Sequence, residues 1–165
     1  MFNKLKKIVF IIFCISVSFL IIFSLYFRIC VVSGSSMNPT LKNGEKLVIQ
    51  KSKNIKRNQI IVFKDYEKNY MLIKRVIAKE GDHLKIKNDK VFLNGEILKE
   101  SYIKEKCFEG DIDLFIPKGE FFVMGDNRNN SRDSRSFGCV NKSQIIGFVK
   151  NDALIPWLKP WAFSP

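Results

Sequence analysis

The segment VVSGSSMNPTLKNGE, residues 31–45, comes directly after a long apolar run. Four of its residues favour tight turns: Gly34, Asn38, Pro39 and Gly44. A flexible linker would explain the glycines and serines, but it would not explain Met37 and Leu41, which are residue types of a folded core. The alternative is a rigid turn that holds one of the serines near the apolar run to do chemistry. The rest of the chain has to decide between these two interpretations.

The apolar run, residues 8–27, contains no charge and no helix breaker. As a helix it is about 30 Å long, which matches the hydrocarbon core of a bilayer. A cleavable signal peptide is the alternative, because Lys4, Lys6 and Lys7 precede the run. However, the run exceeds the usual roughly 7–15 residues of such a peptide, and its end is bulky where a cleavage site needs small residues. We therefore expect a short tail (residues 1–7), a permanent transmembrane helix (residues 8–27) and one further domain (residues 28–165).

The chain of 165 residues has a net charge of +12, and residues 29–165 still hold 24 basic against 16 acidic side chains. A surplus of this size favours an anionic partner, such as lipid headgroups, wall polymers or nucleic acid, without choosing among them. The cysteines include no C-x-x-C spacing: they are Cys14, Cys30, Cys107 and Cys139. We therefore expect neither a zinc site nor a disulfide framework.

Beyond residue 45, short segments rich in Val, Ile and Phe end at Gly, Asn or Asp. They predict strands in KLVIQK, QIIVFK, MLIKRVIA, HLKIK, KVFLNGEIL, EFFVMGD and QIIGFVKN. Asn94-Gly95 predicts a two-residue hairpin, and residues 87–90 predict a second turn. No helical period of comparable length is present, so we expect a mostly β domain. The C-terminal segment with Trp157 and Trp161 fits either the bilayer interface or a terminal segment packed on the domain.

A serine nucleophile needs another side chain to take its proton. The single histidine, His83, opens a predicted strand after a turn, where an exposed side chain is the simpler interpretation. The sequence contains no H-E-x-x-H, phosphate-loop or G-x-S-x-G pattern. A lysine can replace histidine only if burial lowers its pKa from about 10.4 to near 8, at a cost of roughly 3–4 kcal/mol.

The candidate for this lysine lies in MLIKRVIA, where Lys74 and Arg75 are neighbours. Both faces of this strand are apolar, so the pattern alone does not choose between the two residues. The chemistry does, because a guanidinium is not deprotonated in a protein. Lys74 is therefore the candidate base, and the alternative is a lysine whose stem packs on apolar surface while its amine reaches water.

A polar loop, MGDNRNNSRDSRSFG (residues 124–138), follows another predicted strand. A solvated loop is the usual explanation for such a composition. The charge disfavours a calcium loop, because three arginines would oppose the cation. The mixture of opposite charges instead favours a stiff loop held by internal ion pairs, of the kind that supports an active site.

Taken together, three motifs resemble those of the bacterial type I signal peptidases. They are Ser-Met-x-Pro-Thr after an apolar helix, Lys-Arg-Val in a strand, and Gly-Asp-Asn-Arg-x-x-Ser-x-Asp-Ser-Arg. The order and spacing are similar to the small, single-anchor form of Gram-positive bacteria, and the resemblance covers essentially the whole chain. It implies a β-barrel-like catalytic domain of antiparallel sheets, preceded by one transmembrane helix. It also implies a cytoplasmic amino end, an extracytoplasmic domain, and chemistry without metal or cofactor.

The resemblance assigns the nucleophile to Ser36 and the general base to Lys74. Ser131 matches the serine whose hydroxyl hydrogen-bonds the lysine amine and orients it. The supporting polar network matches Asp126, Arg128, Asp133 and Arg135. The candidate walls of the substrate pockets are Val32, Met37, Leu41 and Ile73. The oxyanion hole would use the backbone N–H of Ser36, because Gly34 stands where Gram-negative relatives add a serine hydroxyl.

Two turns depart from the family pattern. RNQIIVF (residues 57–63) stands where the family often has Arg-Gly-Asp or Lys-Gly-Asp before the strand, and AKEGD (residues 78–82) replaces Leu-Pro-Gly-Asp. We expect both departures to affect local stability more than activity.

The implied function is removal of N-terminal signal peptides from exported preproteins after small, Ala-x-Ala-like residues. The implied partners are those signal peptides and membrane lipid, with no nucleic acid, and the implied state is a monomer. Three alternatives stay open. A self-cleaving repressor protease would need a DNA-binding domain in place of the anchor. A related peptidase would serve one substrate, such as a pilus or conjugation protein. A non-enzymatic, basic, membrane-anchored binding module would leave Ser36, Lys74 and Ser131 unexplained.

Overall fold

The chain begins with one long helix. A computed structural model describes residues 2–103, 105 and 110–150, and its first element is α1, Phe2–Tyr26. Within Lys4–Tyr26 a stretch of 18 residues has a mean hydropathy of 3.0 and none of it is buried, so α1 is long and apolar enough to cross a membrane. The helix starts before residue 8 because lysines are good helix formers and do not interrupt it.

The helix passes into the first strand without a loop. The strand β1, Phe27–Val31, follows Tyr26 directly. Lys51 holds this junction: its backbone N–H donates to the carbonyl of Tyr26 and its Nζ to the carbonyl of Ser24, both at 2.8 Å. These two bonds satisfy carbonyls in the last turn of α1 that have no partner within the helix.

Most of the domain is built on one seven-stranded sheet. Its further strands are β2 (Lys46–Gln50), β3 (Ile60–Asp65), β4 (Tyr70–Lys79), β9 (Glu120–Met124), β10 (Val140–Asn141) and β11 (Ile145–Val149). Their order is β1-β2-β11-β3-β4-β9-β10, and all the pairs are antiparallel. The short helix α2, Ser134–Phe137, lies between β9 and β10.

A smaller antiparallel sheet is inserted between β4 and β9. It consists of β5 (His83–Lys87), β6 (Lys90–Leu93), β7 (Glu96–Ile97) and β8 (Ile112–Phe115), in the order β7-β6-β5-β8. Its buried face joins the ends of β4 and β9 in one apolar cluster that includes Ile77, Leu84 and Phe122. The other two apolar clusters lie against the larger sheet.

The mostly β prediction is confirmed, and each predicted strand segment contains a strand. Asn94 and Gly95 have φ values of 54° and 86°, as the two-residue hairpin requires, and Asn88 and Asp89 (48° and 57°) form the second turn. The sequence reading missed β1, β8 and β10. Strand β1 begins at the last residue of the apolar run, the four residues of β8 include Asp113, and β10 has only two residues. Trp157 and Trp161 lie outside the described residues.

Candidate active site

Ser36 lies on a tightly bonded turn between β1 and β2. The base of this turn is closed by two backbone bonds of 2.8 Å, from Val32 N–H to the Glu45 carbonyl and from Gly44 N–H to the Val32 carbonyl. Met37 is 1% exposed and anchors the turn in the core. The sequence left open whether residues 31–45 form a flexible linker or a rigid turn. These contacts show that the segment is a rigid turn.

Lys74 lies in the middle of β4 and meets Ser36 directly. Its Nζ donates a hydrogen bond of 2.7 Å to the Ser36 hydroxyl oxygen, and the side chain is buried. Burial lowers the pKa of Lys74 to about 8, although the carboxylates of Asp133 and Asp126 oppose this shift. The neutral amine is therefore well populated near pH 8, and its lone pair can accept the proton of Ser36.

A cleft of about 220 Å³ opens beside this pair. Its lining includes three of the four predicted pocket walls, Val32, Met37 and Ile73, together with apolar side chains of β1 and β4. The fourth, Leu41, does not line this cleft: it is buried in the cluster beneath it. Leu41 therefore supports the walls from below, because its side chain packs under the turn that carries Ser36.

The polar loop after β9 holds the segment that carries Ser36. The backbone N–H of Asn127 donates to the Ser36 carbonyl at 3.0 Å, and its side chain donates to the Ser35 carbonyl at 3.2 Å. Asn130 donates to the Ser35 hydroxyl at 3.0 Å. The sequence reading missed both asparagines, because amides in a polar loop do not reveal which distant turn they contact.

Gly125 marks the closest approach of this loop to Ser36. A Cβ at Gly125 would lie 2.2 Å from the Ser131 hydroxyl and 2.5 Å from the Ser36 carbonyl oxygen, so any side chain would force the two segments apart. The Ser131 hydroxyl is buried here and has no hydrogen-bond partner among the described groups. The predicted bond to Lys74 is therefore not formed in this structure, although Ser131 lies at the site.

Asp126 is bound by the arginine next to Lys74. Arg75 donates to both carboxylate oxygens of Asp126, at 2.8 and 2.6 Å, and both side chains are buried. Because Met124 pairs with Arg75 in the sheet, the loop leaves β9 beside Lys74. The pair thus joins the start of the loop to the strand that carries the lysine.

Asp133 and two arginines stiffen the rest of the loop. Asp133 accepts a bond of 2.8 Å from the Gly125 N–H, caps α2, and forms an ion pair with Arg135. Arg135 also donates to the Arg128 carbonyl at 2.7 Å, and Arg128 donates to the Gly125 carbonyl at 3.0 Å. The four predicted network residues therefore lie together in one bonded loop. Two partners were not predicted: Arg75, which binds Asp126, and Glu100, which binds Arg128.

Gly34 adopts a positive φ of 92°, a region that favours glycine. Its N–H is already used, since it donates to the Asn43 side chain at 2.9 Å. No side-chain donor occupies this position, so the backbone N–H of Ser36 is the candidate donor for an oxyanion.

His83 lies on the smaller sheet, away from this pair. Its ring stacks on Phe115 and its Nε2 lies 2.6 Å from the Asp113 carboxylate. This position agrees with the interpretation of His83 as a surface side chain at the start of a strand.

The two atypical turns are bonded to each other. Arg57 forms a bidentate pair with Asp82, which is 3% exposed, and its Nε donates at 2.7 Å. Asn58 has a positive φ of 67°, which asparagine tolerates, in the place where the family often has glycine. Its carbonyl accepts a bond of 2.9 Å from Arg75, so this turn also supports the arginine beside the lysine.

A serine hydroxyl bonded to a buried lysine of lowered pKa, in an apolar cleft, is the arrangement of an enzyme whose serine nucleophile is activated by a lysine base. The family model for signal peptidase, peptidase S26, matches residues 5–151. The chain is 40% identical to a signal peptidase I P of Bacillus subtilis subsp. natto, over 71% of each chain. It is 35% identical to a signal peptidase IB of Staphylococcus aureus, over 81% of this chain and 77% of the relative.

A solved structure agrees with these relatives. The crystal structure of a signal peptidase I from Enterococcus faecalis aligns with 59% of this chain and 97% of its own, with a TM-score of 0.53 at 29% identity. This chain therefore belongs to the signal peptidase family, peptidase S26, and the resemblance inferred from its motifs is confirmed.

Proposed function

We propose that this protein is a membrane-anchored signal peptidase I that removes N-terminal signal peptides through Ser36 and Lys74. The observation that carries the proposal is the 2.7 Å bond between Lys74 Nζ and the Ser36 hydroxyl, made by a lysine that burial keeps easily deprotonated. Membership of the family supplies the class of substrate.

In the first step, neutral Lys74 accepts the proton of Ser36 while the hydroxyl oxygen attacks the scissile carbonyl. The oxyanion that forms is stabilised by the backbone N–H of Ser36. Protonated Lys74 then gives its proton to the departing amine, which leaves an ester between Ser36 and the signal peptide.

In the second step, Lys74 is neutral again and takes a proton from a water molecule, which attacks the ester. Protonated Lys74 returns this proton to the Ser36 oxygen as the ester bond breaks, and the released carboxylic acid of the signal peptide loses its own proton to solvent. In this proposal the Ser131 hydroxyl orients the amine of Lys74. The buried, unpartnered hydroxyl of Ser131 is the feature that supports this role.

Specificity arises in the cleft beside Ser36. Its volume of about 220 Å³ and its apolar walls suit small side chains such as alanine near the scissile bond. Val32, Met37 and Ile73 are the proposed contact residues. An extended substrate backbone would supply most of the affinity with little demand on sequence.

The helix α1 anchors the enzyme in the same bilayer as its substrate, which raises the effective concentration of the signal peptide. The proposed topology places the amino end in the cytoplasm and the domain outside, in contact with lipid. The proposed state is a monomer, since one chain holds both Ser36 and Lys74.

The test is cleavage of a preprotein by the full-length protein in detergent or liposomes, with the new N-terminus read by mass spectrometry. Wild type is expected to cut after a small-x-small sequence. Ser36→Ala and Lys74→Ala are expected to abolish the cut while circular dichroism shows both variants folded.

Full activity of Ser36→Ala would overturn the proposed mechanism. A folded wild type that cuts none of several unrelated preproteins would favour a peptidase dedicated to one substrate. A comparison of several preproteins is therefore part of the experiment.

A further inference from the structure

The segment after β7 carries an acidic residue that the polar loop depends on. Glu100 lies 25 positions before Gly125 in the chain, yet its carboxylate binds Arg128. The two side chains are 7% and 0% exposed respectively, so this ion pair is enclosed in protein. A buried guanidinium needs such a partner, because an uncompensated charge in this place would be costly.

Arg128 connects Glu100 to the backbone that lies against Ser36. One of its terminal nitrogens donates to Glu100 Oε2 at 3.1 Å and the other to Oε1, which fixes the plane of the guanidinium. In this orientation its Nε donates to the Gly125 carbonyl at 3.0 Å. Gly125 is the residue whose backbone lies directly against Ser131 and the Ser36 carbonyl.

Tyr102 links Glu100 to a second buried arginine, Arg75. Its hydroxyl donates to Glu100 Oε1 at 3.2 Å, and Arg75 lies 4.0 Å above the centre of its ring. Burial beside Glu100 raises the pKa of Tyr102, so the hydroxyl remains protonated and continues to donate. Glu100 and Tyr102 therefore contact both arginines that bind the start of the loop.

We propose that Glu100 is a positioning residue for the cleavage reaction. It fixes Arg128, which fixes Gly125, and Gly125 sets the distance between the loop and Ser36. This inference rests on the proposed function, and it assigns a role to a segment that lies outside the three motifs that carry the family resemblance.

The test is Glu100→Gln in the full-length protein, which keeps the shape of the side chain but removes the charge. Because a displacement of about 1 Å can cost up to about 100-fold in rate, kcat is expected to fall about 10- to 100-fold. KM is expected to stay within about twofold, since the cleft walls do not include Glu100. The assay is run well below the melting temperature, with the folded fraction checked by circular dichroism.

A double-mutant comparison separates positioning from simple stabilisation. In an Arg128→Met background, Glu100→Gln is expected to cause no further loss of kcat, because the connection is already broken. The matched control is Asp113→Asn, which removes a carboxylate from an exposed ion pair on the smaller sheet and should leave kcat unchanged.

Three outcomes decide the matter. If wild type cleaves and Glu100→Gln cleaves at the same rate, this inference is wrong and the proposed function stands. The inference is also wrong if Glu100→Gln lowers kcat by the same factor with and without Arg128. If wild type itself does not cleave, the failure lies in the proposed function instead.

Discussion

The charged side chains around Lys74 and those on the smaller sheet form ion pairs of similar length in very different surroundings. Arg75 and Asp126 are 8% and 0% exposed, at 2.6 Å. Lys85 and Asp113 are 43% and 51% exposed, at 2.8 Å. Water and salt screen the second pair, whereas the first has to be complete because either charge alone would lie in an apolar interior. Burial, rather than distance, therefore distinguishes the ion pairs that shape the active site.

The largest expected effect comes from replacing the buried lysine with another cation. Lys74→Arg keeps the charge but not the ability to lose a proton, so activity should fall by about 10³-fold or more. The measurement is preprotein cleavage at pH 8. Lys85→Arg on the smaller sheet is the matched control and should cleave like wild type. Substantial activity in a folded Lys74→Arg variant would mean that another group is the base.

The second effect is a loss of stability when the buried ion pair between Arg75 and Asp126 is broken. Asp126→Asn leaves the Arg75 guanidinium buried opposite a neutral amide, which should destabilise the protein by about 3–5 kcal/mol. The measurement is thermal unfolding of the full-length protein in detergent. Asp113→Asn removes the same group from the exposed pair and should leave the melting temperature unchanged. If Asp126→Asn and Asp113→Asn lowered the melting temperature equally, burial would not distinguish the two ion pairs.

The third effect is the dependence of stability on pH that the buried lysine contributes. The pKa of Lys74 is about 8 in the folded protein and 10.5 in the unfolded chain, so the unfolded chain binds more protons between these values. The contribution of Lys74 to stability should therefore rise with pH across this window, whereas the raised pKa values of Cys30, Cys139 and Tyr102 act in the opposite direction. Below pH 8 the buried charge costs about 3 kcal/mol, a cost that disappears above pH 10.5.

Lys74→Met isolates this contribution, because it lacks the titrating group. The variant should be more stable than wild type below pH 8, and its advantage should shrink as the pH rises toward 10. In wild type, kcat/KM should rise with pH through about 8, as Lys74 becomes neutral. A stability difference that stays constant from pH 7 to pH 10 would show that Lys74 is not desolvated.

The strands of this fold were predictable because their apolar residues are local and dense. KLVIQK and QIIVFK predict buried strands without any knowledge of their neighbours. The strand β8 was missed because it has only four residues, with Asp113 among them and Asp111 directly before them. The start of β1 was missed because an apolar run gives no sign of the point at which a helix becomes a strand.

The residues of the active site also fall into those that the sequence predicted and those that it did not. Ser36 and Lys74 were found from their motifs and from the chemical need for a group that can lose its proton. Glu100 and Asn127 were not, since their importance depends on contacts with residues that are distant in sequence. Leu41 was assigned to the pocket walls by the family resemblance, and the structure buries it in the core, a position that an apolar residue type fits equally well.

The direct passage from α1 into β1 has a mechanical consequence. The apolar part of the helix, residues 8–26, is about 29 Å long, close to the roughly 30 Å hydrocarbon thickness of a typical bilayer. In a thinner bilayer, such a helix accommodates its excess length by tilting. Because Lys51 fixes the end of the helix to the sheet, a tilt of the anchor also turns the domain. In a bilayer, lipid thickness therefore becomes a variable that sets the angle at which the cleft faces the membrane.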